Sequence, residues 1–128
     1  MLLHLSDISS EPLHAQISRQ IRTRILSGTL EEGAALPSIR AMAREQHVSV
    51  ITVQRAYDDL QREGLLNSKK GKGLFVAALS GKLKRELAID RLKDDIGPVV
   101  NGAMDSGVGK KQILEVVQDI VEKRGGKQ

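Results

Sequence analysis

The chain has 128 residues, 40% of them apolar, 28% charged and only 2% aromatic, so its core is aliphatic and favours packed helices over an aromatic-rich β-sandwich. This length accommodates one core and an appendage, so a second catalytic domain is not expected within it, and the absence of cysteine from these residues excludes a disulfide framework or a thiolate zinc site among them. A formal net charge of +4 points to a polyanionic partner.

The first predicted element is a helix entered at Pro12, with Leu13, Ile17, Ile21 and Ile25 recurring every four residues until Gly28 stops it. Residues Thr29 to Pro37 hold Gly33 and Pro37 and show no helical period. Ser38 then caps a short second helix with Ile39, Met42 and Ala43 turned inward, ending near His47. Ser49 caps a third, whose Val53, Ala56, Tyr57 and Leu60 share one face before Gly64 terminates it. After Gly64 the period changes. Leu65 to Asn67 reads as a strand, Lys69-Lys70-Gly71-Lys72-Gly73 as a turn, and Leu74 to Val76 as the return strand. Helix, turn, helix, hairpin is the order of a winged helix-turn-helix. In that arrangement the third helix has the width to lie in a major groove, the second braces it, and a basic hairpin reaches adjacent phosphates or the minor groove.

Beyond Ala78, Leu83, Leu87, Leu92, Ile96, Val99, Val100, Ala103 and Met104 mark a long helix, which Pro98 is expected to kink or briefly break. After Gly107 and Gly109 a last helix carries Ile113, Val116, Val117, Ile120 and Val121 as one stripe, with a charged opposite face. About fifty residues are too few to bury both stripes internally, so the apolar surface must meet the first domain or a second copy, and a symmetric dimer is the economical solution. The expected fold is mainly α with a small β-hairpin: a winged helix-turn-helix over residues 1–77, followed by a two-helix dimerisation tail over residues 78–128.

From Ser38 to Gly73 the bases are Arg40, Arg44, Arg55, Arg62, Lys69, Lys70 and Lys72, against Glu45, Asp58, Asp59 and Glu63. The run Leu36-Pro37-Ser38-Ile39-Arg40, with Ala43, Val48-Ser49, Thr52-Val53, Ala56-Tyr57, Leu60, Glu63-Gly64 and Gly71-Lys72-Gly73-Leu74-Phe75-Val76, resembles the DNA-binding domain of the GntR family of repressors. Pro12-Leu13 with Gln16-Ile17 is similar to that family's first helix. The resemblance implies DNA contact by Arg40, by the front of the third helix and by the glycine-flanked wing. The DNA-binding residues expected on this basis are Ser38, Arg40, Ser49, Val50, Ile51, Thr52, Gln54, Arg55, Lys69, Lys70, Gly71, Lys72 and Gly73. At one place the chain departs from the family: many members carry a basic residue directly after the Val-Ser pair, where this sequence has Val50 and Ile51. Two exposed β-branched residues there are suited to touch thymine methyl groups. The short tail is similar to that of the YtrA-type subfamily, which implies a homodimer and, for many members, a gene beside those of membrane transporters. Larger relatives bind metabolites in a separate domain without counterpart here, so a small-molecule effector would need the dimer cleft or the hinge.

Several of these residues also have a second reading. Arg40 could be a solvated helix residue, Ser49 and Thr52 a cap and a packing hydroxyl, and Gly71 and Gly73 no more than a hairpin turn. Arg55 suits a phosphate contact or a pairing with Asp58 or Asp59 at helical spacing. Tyr57 shares its face with Val53 and Leu60 and so belongs to the core. Asp94 and Asp95 are adjacent and diverge on a helix, while His4, His14 and His47 lie far apart, so no catalytic residues, metal or cofactor are expected and the chain is not expected to be an enzyme. No stretch approaches the roughly 18 apolar residues of a membrane helix, and Met1 to Asp7 lacks a basic leader, so a cytoplasmic chain without membrane contact is expected. The expected activity is repression through double-stranded DNA. Two alternatives stay open, a nonspecific architectural DNA binder and a winged-helix module that docks another protein.

Overall fold

The computed structural model describes residues 1–125 and arranges them as α1 (Leu13–Leu26), α2 (Ile39–Gln46), α3 (Val50–Arg62), β1 (Leu66–Lys69), β2 (Gly73–Val76), α4 (Gly81–Asp105) and α5 (Lys110–Gly125). Residues 126–128, the end of the expected tail, lie outside the described residues. The chain divides into two compact units, Met1–Arg85 and Glu86–Gln128.

In the first unit the four-residue repeat of α1 does what its spacing dictates: Ile17, Ile21 and Ile25 are fully buried, and α1 packs on α3. Met42 from α2, Val53, Ala56, Tyr57 and Leu60 from α3, and Leu65, Leu66 and Val76 around the hairpin complete the core. Pro12 stands one residue before the helix, at its cap. Arg22, on the same helix, reaches the end of α3 in a two-pronged ion pair, Nε and Nη2 each donating to a Glu63 carboxylate oxygen at 2.7 Å. A feature without a periodic signal precedes α1: the side-chain amides of Gln16 and Gln20 each accept from and donate to one backbone unit of the N-terminal segment, at Ser6 (2.8 and 2.9 Å) and His4 (2.8 and 2.8 Å). These paired bonds lay the segment along α1 and help bury Leu3.

The phenol of Tyr57 donates to the carbonyl of Pro37 at 2.8 Å, bolting α3 to the lead-in of α2. Burial, reinforced by the negative charge of Glu45, pushes this phenol well above its ordinary value of 10.0. A pKa raised in the folded state means stability that is whole below pH 10 and falls above it, by up to about 1.4 kcal/mol per pH unit. Tyr57 is the chain's single tyrosine. In an alkaline titration its phenolate absorbance is therefore expected to rise together with loss of the helical signal, and a separate phenolate step in still-helical protein would contradict the burial.

The hairpin differs from its expected boundaries. β1 begins at Leu66 and runs through Lys69, with Lys69 opposite Gly73, so the turn is the three residues Lys70, Gly71 and Lys72, not five. Asn67 lies in the strand as expected, and cross-strand pairing with Leu74 and Gly73 holds Ser68 and Lys69 extended as well, against their turn-like composition. The segment before α2, read as irregular, pairs with the outer edge of β2 through an isolated bridge between Ala35 and Phe75.

In the second unit, α4 leads into α5 through Gly107, whose φ of 92° takes the left-handed turn while Val108 N–H donates to the Ala103 carbonyl at 3.0 Å. Of the kink or brief break expected at Pro98, the break does not occur, since α4 runs through it. Proline removes the bond to the Asp94 carbonyl, but no residue of this helix is buried, so water can serve the freed oxygen. No residue of α5 is buried either, and Val99, Met104, Leu114, Val116, Ile120 and Val121 all stand exposed. Between the two helices an open groove of about 400 Å³ or slightly less (≈ 370 Å³) is lined by Ile96, Val100, Ala103, Ile113, Val117 and Ile120 among other apolar side chains. Among the described residues no helix is long and apolar enough to cross a membrane.

Candidate nucleic-acid interface

Two serine caps set the helix-turn-helix. Ser38 Oγ accepts from Ala41 N–H at 3.1 Å and starts α2, and Ser49 Oγ accepts from Thr52 N–H at 3.0 Å and starts α3. Between them His47 adopts the left-handed conformation (φ 56°) and Val48 N–H donates to the Ala43 carbonyl at 3.0 Å, closing α2 within a three-residue turn. Histidine rather than glycine at this position gave the sequence no visible stop beyond the loss of period.

On α3 the buried stripe Val53, Ala56, Tyr57 and Leu60 leaves Val50, Ile51, Gln54, Arg55 and Asp58 facing outward. At about 100° per residue, Ile51 lies opposite the buried stripe. It is 77% exposed and Val50 is 48% exposed. The hydroxyls of Ser49 and Thr52 are 2.8 Å apart and hydrogen-bonded to each other. Gln54 Nε2 donates to Asp58 Oδ1 at 2.8 Å, while Asp59 takes Arg62 at 3.2 Å. Arg55 is exposed and makes neither of the acidic pairings its spacing allowed.

The wing's tip is shaped by Gly71 (φ 73°) and Gly73 (φ 92°), with Lys72 N–H donating to the Lys69 carbonyl at 2.8 Å. Lys69 Nζ lies 4.4 Å from the centre of the Phe75 ring, a cation–π contact that braces it along the hairpin. Lys70 and Lys72 project from the exposed turn. The wing's root is fixed to the start of α2: Gly33 N–H donates to the Val76 carbonyl (2.8 Å), Val76 N–H to that of Ala34 (2.9 Å) and Leu36 N–H to that of Leu74 (2.9 Å). As a result an open groove of ≈ 400 Å³ between wing and α2 brings Ser38, Arg40, Tyr57, Lys72 and Gly73 to one lining.

The model of bacterial regulatory proteins of the gntR family matches residues 13–76 of this chain. The chain belongs to the GntR family. It is 34% identical over 119 residues to the HTH-type transcriptional regulator YhcF of Bacillus subtilis, covering 89% of this chain and 93% of the relative. The HTH-type transcriptional repressor YtrA of the same organism is 27% identical over 127 residues, with 98% of each chain covered. A GntR family transcriptional regulator from Listeria monocytogenes has a similar structure, with a TM-score of 0.73, 28% identity, and coverage of 90% of this chain and 98% of that one. Alignment with YtrA along nearly its whole length makes this a GntR regulator of the short-tailed, YtrA type, and its winged helix-turn-helix is that of a DNA-binding transcriptional regulator.

Within this GntR scaffold the residues singled out from the sequence fall into two groups. Ser38, Arg40, Lys72 and Gly73 come together at the groove between α2 and the wing. Ser49, Val50, Ile51, Thr52, Gln54 and Arg55 occupy the first two turns of α3, on the helix beside it. Lys69, Lys70 and Gly71 continue the wing. Arg44, exposed four residues after Arg40 on α2, extends the basic side of that helix; its i+4 spacing was visible but it was not singled out.

Proposed function

We propose that this GntR regulator represses transcription as a homodimer on a pseudo-palindromic operator. The observation that carries the reading is the convergence of Arg40 and Lys72, thirty-two positions apart by residue number, on one groove beside an exposed α3. Two cations brought to that junction match a duplex backbone, whose phosphates position a protein while the helix reads base edges. In this reading the front of α3, from Ser49 to Arg55, enters the major groove. Ser38 and Arg40 hold flanking phosphates, and Lys69, Lys70, Gly71, Lys72 and Gly73 take the neighbouring phosphates or minor groove.

Residues 1–77 would thus bind DNA and residues 78–128 dimerise, the exposed apolar side chains of α4 and α5 meeting those of a second copy. A dimer cleft or hinge is where an effector would act. Repression is supported by the similarity to the repressor YtrA, and the cytoplasm is the compartment where such a protein meets its operator. Selection of bound duplexes from a random pool at moderate salt tests the whole reading. The expected result is an inverted repeat with half-site centres about one helical turn, roughly 34 Å, apart. Duplex binding without an enriched motif would instead make the chain an architectural binder, and no duplex binding would point to a protein partner.

A further inference from the structure

We infer that α3 reads its half-site through the 5-methyl groups of thymines, with Ile51 and Val50 as the specificity-determining residues. The inference rests on the DNA-binding reading above and names what that site recognises.

The chemistry and exposure of the groups in the first helical turn lead there. The Ser49 and Thr52 hydroxyls are bonded to each other at 2.8 Å, and Ser49 Oγ also accepts the Thr52 N–H at 3.0 Å. The Gln54 amide nitrogen, set beyond the first turn, donates one of its two N–H groups to Asp58 at 2.8 Å, which orients the amide along the helix toward that carboxylate. What the first turn offers outward is therefore aliphatic surface: Ile51, opposite the buried stripe and 77% exposed, and Val50, 48% exposed. Ile51 in particular does little for the fold. β-Branched residues are indifferent helix formers, and apolar surface left in water contributes no burial. In the major groove the one apolar group on a base edge is the thymine methyl. Arg40 and Lys72 beside the groove, and Arg55 one turn further along α3, supply the positive charge that brings such a surface onto DNA rather than onto an apolar protein partner.

The test alters the DNA and leaves the protein intact. In the selected operator, each thymine is replaced in turn by deoxyuridine, which removes the methyl and keeps every hydrogen-bonding group. Loss of one contacted methyl is expected to weaken binding about fourfold, the value of one methylene-sized group leaving apolar contact. The effect should be confined to one or two thymines per half-site. Ile51→Ala and Val50→Ala should bind the thymine operator more weakly and lose the difference between thymine and uracil at those positions. If intact protein binds uracil and thymine duplexes equally at every position, the methyl reading is overturned while DNA binding stands. If the pool yields no duplex, the DNA-binding reading falls and takes this inference with it.

Discussion

Replacing Lys69, Lys70 and Lys72 together by alanine is expected to lower operator affinity by about two to three orders of magnitude per half-site at ~0.1 M salt. It should also make the slope of log affinity against log salt shallower by up to about 2.7 per half-site, about 5.4 for the dimer, because each neutralised phosphate contributes about 0.9. Lys70 and Lys72 stand free at the exposed tip, so their removal leaves the hairpin intact. Lys69 differs, since its ammonium lies 4.4 Å over Phe75 and its loss also removes a brace. Single replacements separate the two effects. Lys70→Ala and Lys72→Ala should each take about one unit per half-site from the slope, whereas Lys69→Ala should also lower thermal stability slightly. Titration of a fluorescent operator duplex over a range of salt concentrations measures all of these. A triple variant with the parent's slope would mean that the wing meets no phosphate.

The largest effect on stability is expected from Ile21→Ala. This side chain is wholly buried on the face of α1 that packs against α3. Truncation removes the transfer free energy of three carbons and leaves a cavity, a loss of about 3 kcal/mol. For a unit the size of Met1–Arg85, that corresponds to a fall in Tm of roughly 12–24 °C. Ile51→Ala deletes the same atoms from an exposed site and should change stability by no more than about 0.5 kcal/mol. The same change of residue thus separates two roles: Ile21 holds α3 in place, and Ile51 is what α3 presents. Thermal unfolding of the two variants side by side decides it, and equal Tm losses would mean that Ile51 is structural.

Helices 1 to 3 were legible because each carries its own period and punctuation: Ile17, Ile21 and Ile25 at i+4, a stop at Gly28, and serine caps at Ser38 and Ser49. What sequence reasoning missed depends on partners distant in the chain. Ala35 forms an isolated bridge only because Phe75 is opposite it, and a segment of three residues has no alternation to detect. Ser68 and Lys69, beyond the expected end of the first strand at Asn67, are held extended by pairing with Leu74 and Gly73. Gln16 and Gln20 gave no sign that their amides would clasp Ser6 and His4, because a glutamine on a helix is equally at home in water. Pro98 does not interrupt α4, because the penalty of an internal proline is severe in a buried helix and mild where solvent can reach the freed carbonyl. The candidate site follows the same division. Residue types at the front of α3 and on the wing were evident. The engagement of Ser49, Thr52 and Gln54 with neighbours, which leaves Val50 and Ile51 as the outward chemistry of the first turn, appears only in three dimensions.

The bonds joining Gly33, Ala34 and Leu36 to β2, together with the Tyr57 bolt to Pro37, make the hairpin, the start of α2 and α3 one stiff template. A stiff template cannot adjust the distance between the elements it presents to a duplex. Misfit must then be absorbed by the DNA, as local bending, twisting or groove narrowing whose energy depends on base sequence. Flexible pyrimidine–purine steps between the helix-facing and wing-facing segments of a half-site would make that deformation easier than stiff A-tracts would. An operator can therefore show strong sequence preference at base pairs that no side chain reaches.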